Sequence, residues 1–159
     1  MSIRAPFDRY QGEVLPEWID LNGHMNLAYY TVLFDCATDL LFDAIGIGRD
    51  YKRATNHGTF VAETHNLYER EVLVGERLRV ISQIVGADSK RLHLAHEMFR
   101  IAGGERAATQ ELMFLSIDLG KRRVAPFLAA AQQRIAAAAA AHVHLPRPNW
   151  LGRHIAIRP

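Results

Sequence analysis

Residues 20–45 read DLNGHMNLAYYTVLFDCATDLLFDAI, a polar stretch that runs without a break into a long apolar one. From Leu27 to Ile45, Tyr30, Phe34, Ala37 and Leu41 recur at three- and four-residue spacing, and Val32, Leu33, Leu40 and Ala44 widen the stripe. That period predicts a helix over 27–45, buried on most of its circumference. Gly46 and Gly48 suit its C-terminal stop, because glycine accepts the left-handed conformation that helix ends need.

Working outward, Tyr10–Leu15 reads as a strand, ended by Pro16, which has no amide hydrogen to give a ladder. Downstream, DYKRATNHGT is a polar connection. Four strand-like runs follow, at about Phe60–Tyr68, Arg77–Val85, Arg91–Ile101 and Arg106–Leu119. Short turns such as Gly86-Ala87-Asp88 and Gly103-Gly104 make consecutive runs antiparallel. The second run carries Leu78, Val80 and Ile84 on one side and Ile81 and Val85 on the other, so both sheet faces need cover. A proline-started, alanine-rich helix is expected over residues 126–142, followed by a basic tail over 143–159.

This order of elements is α+β. One antiparallel five-stranded sheet buries the first helix by curling around it, with the C-terminal helix as an extra element and residues 1–159 as a single domain. The opposite sheet face then meets the second helix or another subunit, which makes a homodimer or homotetramer the expected assembly.

Composition narrows the function. The 159 residues carry 19 basic and 17 acidic side chains, a formal charge of +2, which is not the profile of a nucleic-acid binder. Cys36 is the single cysteine, so no intrachain disulfide forms and a reducing cytoplasm is the expected compartment. The N-terminal residues lack the apolar core of a signal peptide, and no apolar run approaches the ~20 residues of a membrane span. Neither phosphate-loop nor dinucleotide-binding glycine patterns occur, and His93 and His96 point to opposite strand faces, so no metal site is expected.

Two constellations remain. Asp20, Asn22, His24 and Asn26 alternate just before the long helix. Capping explains one such polar residue and not four. The alternative is a carboxylate, an imidazole and two amides converging where helix amides also point. Asp20 would then activate water or act as nucleophile, and amides near Gly23 and His24 would hold an oxyanion, an arrangement suited to acyl transfer. Gly23 permits close approach of backbone to ligand. The second constellation is Glu63 and His65, which in a regular strand share a face with Val61 and Leu67. That face is either a solvated edge or a cleft opposite the Asp20 loop. Lys90 and Arg91 sit at a turn, as do Lys121, Arg122 and Arg123, and either group suits a ligand's phosphates.

DLNGHMN followed by AYY and a long apolar helix resembles the hotdog-fold acyl-CoA thioesterases of the 4-hydroxybenzoyl-CoA thioesterase type. LPEWIDLNGHMN, ETH, GADSKRLHLAHEM and LPRP more narrowly resemble the betainyl-CoA thioesterases of carnitine breakdown. The resemblance implies a sheet wrapped around one helix and hydrolysis of a CoA thioester with no cofactor, CoA being part of the substrate. It implies Asp20 as catalytic carboxylate with Asn22 and His24 assisting, and leaves Glu63 and Glu71 as rivals for a second carboxylate. A betaine acyl group would call for aromatic faces or a carboxylate, for which Trp18, Tyr29, Tyr30, Tyr68 and Glu63 are candidates. A non-catalytic CoA-binding module and an enoyl-thioester hydratase or dehydratase are the alternative functions.

Overall fold

The computed structural model describes residues 3–157. Its elements are β1 (Phe7–Glu13), α1 (Leu27–Ile45), α2 (Arg49–Thr55), β2 (His57–Tyr68), β3 (Arg77–Ala87), β4 (Arg91–Arg100), β5 (Arg106–Asp118), β6 (Arg123–Val124) and α3 (Ala129–His142). The sheet runs β1-β3-β4-β5-β2, every pairing antiparallel, with the two-residue β6 added to the end of β5. The expected five strands are therefore present, and they curl around α1.

In α1 the buried residues are Tyr30, Leu33, Phe34, Ala37, Thr38, Leu41, Phe42 and Ile45, an unbroken three–one spacing that marks one helix face. Each large apolar side chain so buried contributes about 1.5–3 kcal/mol. The burial is narrower than the sequence suggests, because Val32, Leu40 and Ala44 face outward. Gly46 ends α1 in the left-handed conformation at φ 73°. One half of the core joins Tyr30, Leu33 and Phe34 to Leu78, Val80, Met98 and Ala108; the other joins Leu41, Phe42 and Ile45 to Leu92, Leu94, Phe114 and the α3 residues Ala131 and Ile135.

Three elements differ from expectation. The polar connection after Gly48 holds the helix α2, whose single buried side chain, Tyr51, leaves no periodic pattern to read. Helix α3 starts at Ala129 rather than Pro126 and packs beside α1, so it does not cover the opposite sheet face. The tail reaches that face instead. Trp150 is buried there and its indole N–H donates to Glu97 Oε1 at 3.2 Å, while the Gly152 amide donates to Glu111 Oε2 at 2.7 Å.

Inside the curl of the sheet, His96 is fully buried and stacks on Phe34 with ring centroids 5.9 Å apart. Thr38 Oγ1 donates to the Phe34 carbonyl at 3.0 Å, so its contact with His96 Nε2 at 2.9 Å is one it accepts. Ser82 Oγ then donates to Nδ1 at 2.8 Å, which makes His96 a neutral, fully bonded imidazole. Burial pushes its pKa down to about 3. The unfolded chain binds a proton below its ordinary value of 6.5 while the folded chain does not, so stability falls as pH falls. The expected loss is about 1.4 kcal/mol per pH unit between those two values. Urea titrations at pH 7, 6 and 5 measure it, and His96→Gln should flatten the slope.

Candidate active site

The 20–26 segment is a tight loop held by its own backbone. The Asp20 amide donates to the His24 carbonyl and the Gly23 amide to the Asp20 carbonyl, each at 3.0 Å. Gly23 has φ 83°, so the turn itself requires glycine there. Asp20 Oδ1 accepts the Asn22 amide at 2.8 Å, which fixes the carboxylate and leaves Oδ2 without a protein donor among the described residues. His24 Nδ1 lies 3.3 Å from the Met25 carbonyl; a carbonyl only accepts, so that contact places a hydrogen on Nδ1 and leaves Nε2 to accept.

Asn26, not Asp20 or Asn22, is the residue that caps α1: its Oδ1 accepts the Ala28 amide at 3.0 Å. Asn26→Ala should cost about 1 kcal/mol in chemical denaturation, whereas Asn26→Asp should retain that stability because it keeps the acceptor and adds a charge at the positive helix end. Capping leaves the amides of His24 and Leu27 without a partner among the described residues. The Gly23 amide, expected to be free for an oxyanion, is already occupied by Asp20.

The loop is tied to the segment that follows β2. The Met25 amide donates to the Val72 carbonyl at 2.9 Å, and the Tyr30 hydroxyl to the Arg70 carbonyl at 3.2 Å. Between loop and segment lies a cleft of about 370 Å³ lined by Asp20, Asn22, His24, Leu27, Tyr30 and Tyr68, with Glu69, Arg70 and Glu71 along the other side. Tyr30 and Tyr68 meet edge to face at 5.2 Å. Burial, with small contributions from Tyr68 and Glu71, raises the Tyr30 pKa, so its phenol stays protonated.

Glu63 is not in this cleft. A bulge between Val61 and Glu63 inserts one extra residue in β2, so Val61 pairs across from Phe114 on the α1 side while Glu63 pairs with Met113 and His65 with Glu111 on the opposite side. The expectation that Val61, Glu63 and His65 share a face fails for that reason. Glu63 and His65 line a separate cavity of about 220 Å³ with His93, Glu111 and Arg153. Of the two rivals Glu63 and Glu71, it is Glu71 that lines the cleft of Asp20, together with Glu69. Lys90 and Arg91 also lie elsewhere, at the start of β4, beside the core half that holds the C-terminal end of α1. Asp88 accepts both their amides and pairs with the Arg91 guanidinium at 2.6 Å. Tyr29 stacks on Trp18 at 5.1 Å and does not line the cleft. Glu69 and Arg70 join the cleft without a motif of their own; the end of strand alternation after Tyr68 is the sequence signal that the chain turns there.

The arrangement offers a fixed carboxylate with one free oxygen, free amides at a helix start and an aromatic wall, the parts that hydrolysis of an acyl group needs. Comparison with known proteins agrees. Residues 14–135 match the thioesterase-like superfamily. The betainyl-CoA thioesterase of Pseudomonas aeruginosa is 39% identical over 94% of each chain. The L-carnitine dehydrogenase/betainyl-CoA thioesterase of Rhizobium meliloti is 32% identical over 98% of this chain and 31% of its own length. Among solved structures, a Staphylococcus aureus protein in complex with CoA superposes with a TM-score of 0.89 at 28% identity, covering 98% of both chains. A putative thioesterase from Pseudomonas putida gives 0.82 at 32% identity, covering 98% of this chain and 99% of its own. The chain belongs to the thioesterase-like superfamily, and it is a hotdog-fold acyl-CoA thioesterase.

Proposed function

We propose that the chain hydrolyses betainyl-CoA to betaine and free CoA, with Asp20 as general base. The observation that carries the mechanism is the Asx turn of Asp20, which spends Oδ1 on the Asn22 amide and leaves Oδ2 for a water. Asp20 takes a proton from that water as its oxygen attacks the thioester carbonyl carbon. The amides of His24 and Leu27 receive the developing oxyanion, the C–S bond breaks as the carbonyl re-forms, and the CoA thiolate takes the proton that Asp20 removed from the water. His24 Nε2 and Asn22 orient the water or the acyl oxygen, and Asn26 acts by holding the helix start in place. Neither a metal nor a redox cofactor enters this scheme.

The acyl group is assigned from the relatives that act on betainyl-CoA, one of which aligns over nearly the whole chain. CoA as the leaving group is supported by the CoA complex of the Staphylococcus aureus protein. Lys90 and Arg91 would hold CoA phosphates only from another protomer, since within one chain they lie at the far end of α1. The assembly we assign is a homodimer or homotetramer. Strand β2 ends the sheet with one side of its ladder unpaired, Phe60 and Val61 are both 47% exposed on it, and Val32 and Leu40 of α1 add apolar surface. The cytoplasm is the compartment that suits the single cysteine. No helix among the described residues is long and apolar enough to cross a membrane.

A panel of betainyl, acetyl, long-chain and aromatic CoA esters with thiol detection tests the reading. The betainyl ester should give the highest kcat/KM, and its exclusion from turnover would overturn the assignment. Light scattering should return two or four times the chain mass, and a monomer would overturn the assembly.

A further inference from the structure

The cleft contains more negative charge than hydrolysis uses. Glu69 is paired with Arg106, which contacts it at 2.8 and 3.0 Å and also pairs with Glu97. Arg70 also lines the cleft, with its Nη1 held by the Arg106 carbonyl at 3.0 Å, so one positive charge stands against the two negative ones of Asp20 and Glu71. Glu71 has no ion-pair partner among the described residues, and it lines the same cleft as Asp20. Two unpaired carboxylates around a carbonyl that must become an oxyanion oppose the reaction of a neutral acyl group, because like charges repel the developing negative charge. A cation carried by the acyl group itself would reverse the sign of that effect.

The aromatic lining agrees. Of the five candidates the sequence offers for a quaternary ammonium, Trp18 and Tyr29 turn their faces to each other and Glu63 lies in another cavity. Tyr30 is buried under Tyr68, and Tyr68 is 46% exposed, which makes it the aromatic ring accessible to a ligand in the cleft. Its hydroxyl accepts from Asn66 Nδ2 at 3.2 Å, and Asn66 Nδ2 also donates to Thr31 Oγ1 at 3.0 Å, so the ring is anchored to α1 before any ligand arrives.

We infer that Tyr68 and Glu71 together select a quaternary-ammonium acyl group, with Glu71 serving charge recognition rather than as a second catalytic carboxylate. This rests on the betainyl reading above and assigns its specificity to two residues. Trimethylammonium has no N–H to donate, so it is recognised by an aromatic face with a nearby anion rather than by hydrogen bonds. Loss of either contact should weaken the preference for the cation by a modest factor and not abolish hydrolysis.

The test compares betainyl-CoA with 3,3-dimethylbutyryl-CoA, in which carbon replaces the quaternary nitrogen and shape is conserved. The readout is the ratio of kcat/KM for the two esters. In the wild type the ratio should favour the cation. Glu71→Gln and Tyr68→Leu should each lower it about three- to tenfold, the size of one exposed charge or partly desolvated cation–π contact, and Tyr68→Phe should restore most of the loss at Tyr68. Equal losses on both esters in Glu71→Gln would make Glu71 catalytic and overturn the inference. An unchanged ratio in both variants would also overturn it while leaving the betainyl reading intact. A wild-type ratio of one would overturn both.

Discussion

Asp20→Asn should lower kcat for thioester hydrolysis by about 10²- to 10⁴-fold, the usual contribution of a positioned general base. The substitution is chosen for what it preserves. Asparagine retains an Oδ1 acceptor for the Asn22 amide, so the Asx turn, the Gly23 turn and the cap on α1 remain assembled. Only the oxygen that takes the proton is replaced, by an amide that cannot. The melting temperature should therefore stay within a few degrees of wild type, and KM should change far less than kcat, since the carboxylate acts in the transition state rather than in binding. Asp20→Ala removes the turn acceptor as well and should lose both turnover and stability. A single turnover in H₂¹⁸O separates the two possible roles of the carboxylate. An enzyme oxygen in the first-turnover product identifies a nucleophile whose anhydride water opens at Asp20, whereas a base gives solvent oxygen only. Retention of full kcat in Asp20→Asn would move the chemistry to another residue.

What the sequence makes legible here is what depends on neighbours along the chain. The helix over 27–45 is visible because its apolar positions recur at the period of one face, and its residue limits coincide with the observed ones. The loop of Asp20 is visible because four polar groups in seven residues exceed what one cap needs. Contacts made across the sheet are not visible in the same way. The face occupied by Glu63 depends on an extra residue in β2 relative to β5, and a bulge of that kind is a property of the pair of strands, not of either alone. The cover of the outer sheet face depends on Trp150 finding Glu97, 53 residues away in sequence. The division of labour between Asn26 and Asp20 likewise rests on φ and ψ at the helix start, because either residue type can cap. Helix α2 has seven residues and one buried side chain, too little to make a period.

Phe34→Ala should be among the most destabilising substitutions in the chain, at about 3–5 kcal/mol. Phe34 is fully buried on the inward face of α1, where the helix presses on the centre of the sheet. Truncation removes the transfer energy of the ring and leaves a void that the surrounding Leu33, Val80 and Met98 can close only in part, since α1 is held from both ends by its caps. It also strips one face of His96, whose neutral state depends on staying dry. Water admitted there would hydrate the imidazole and weaken the Thr38 and Ser82 bonds that align helix and sheet. For a chain of this size the loss corresponds to a fall in melting temperature of roughly 6–20 °C. The acid sensitivity assigned to His96 should shrink in the same variant, because a hydrated imidazole titrates nearer its ordinary value in the folded state as well. Thermal melts at pH 7 and pH 5 on both proteins read both effects. A variant that melts within 3 °C of wild type at pH 7 would place the packing centre elsewhere in the core.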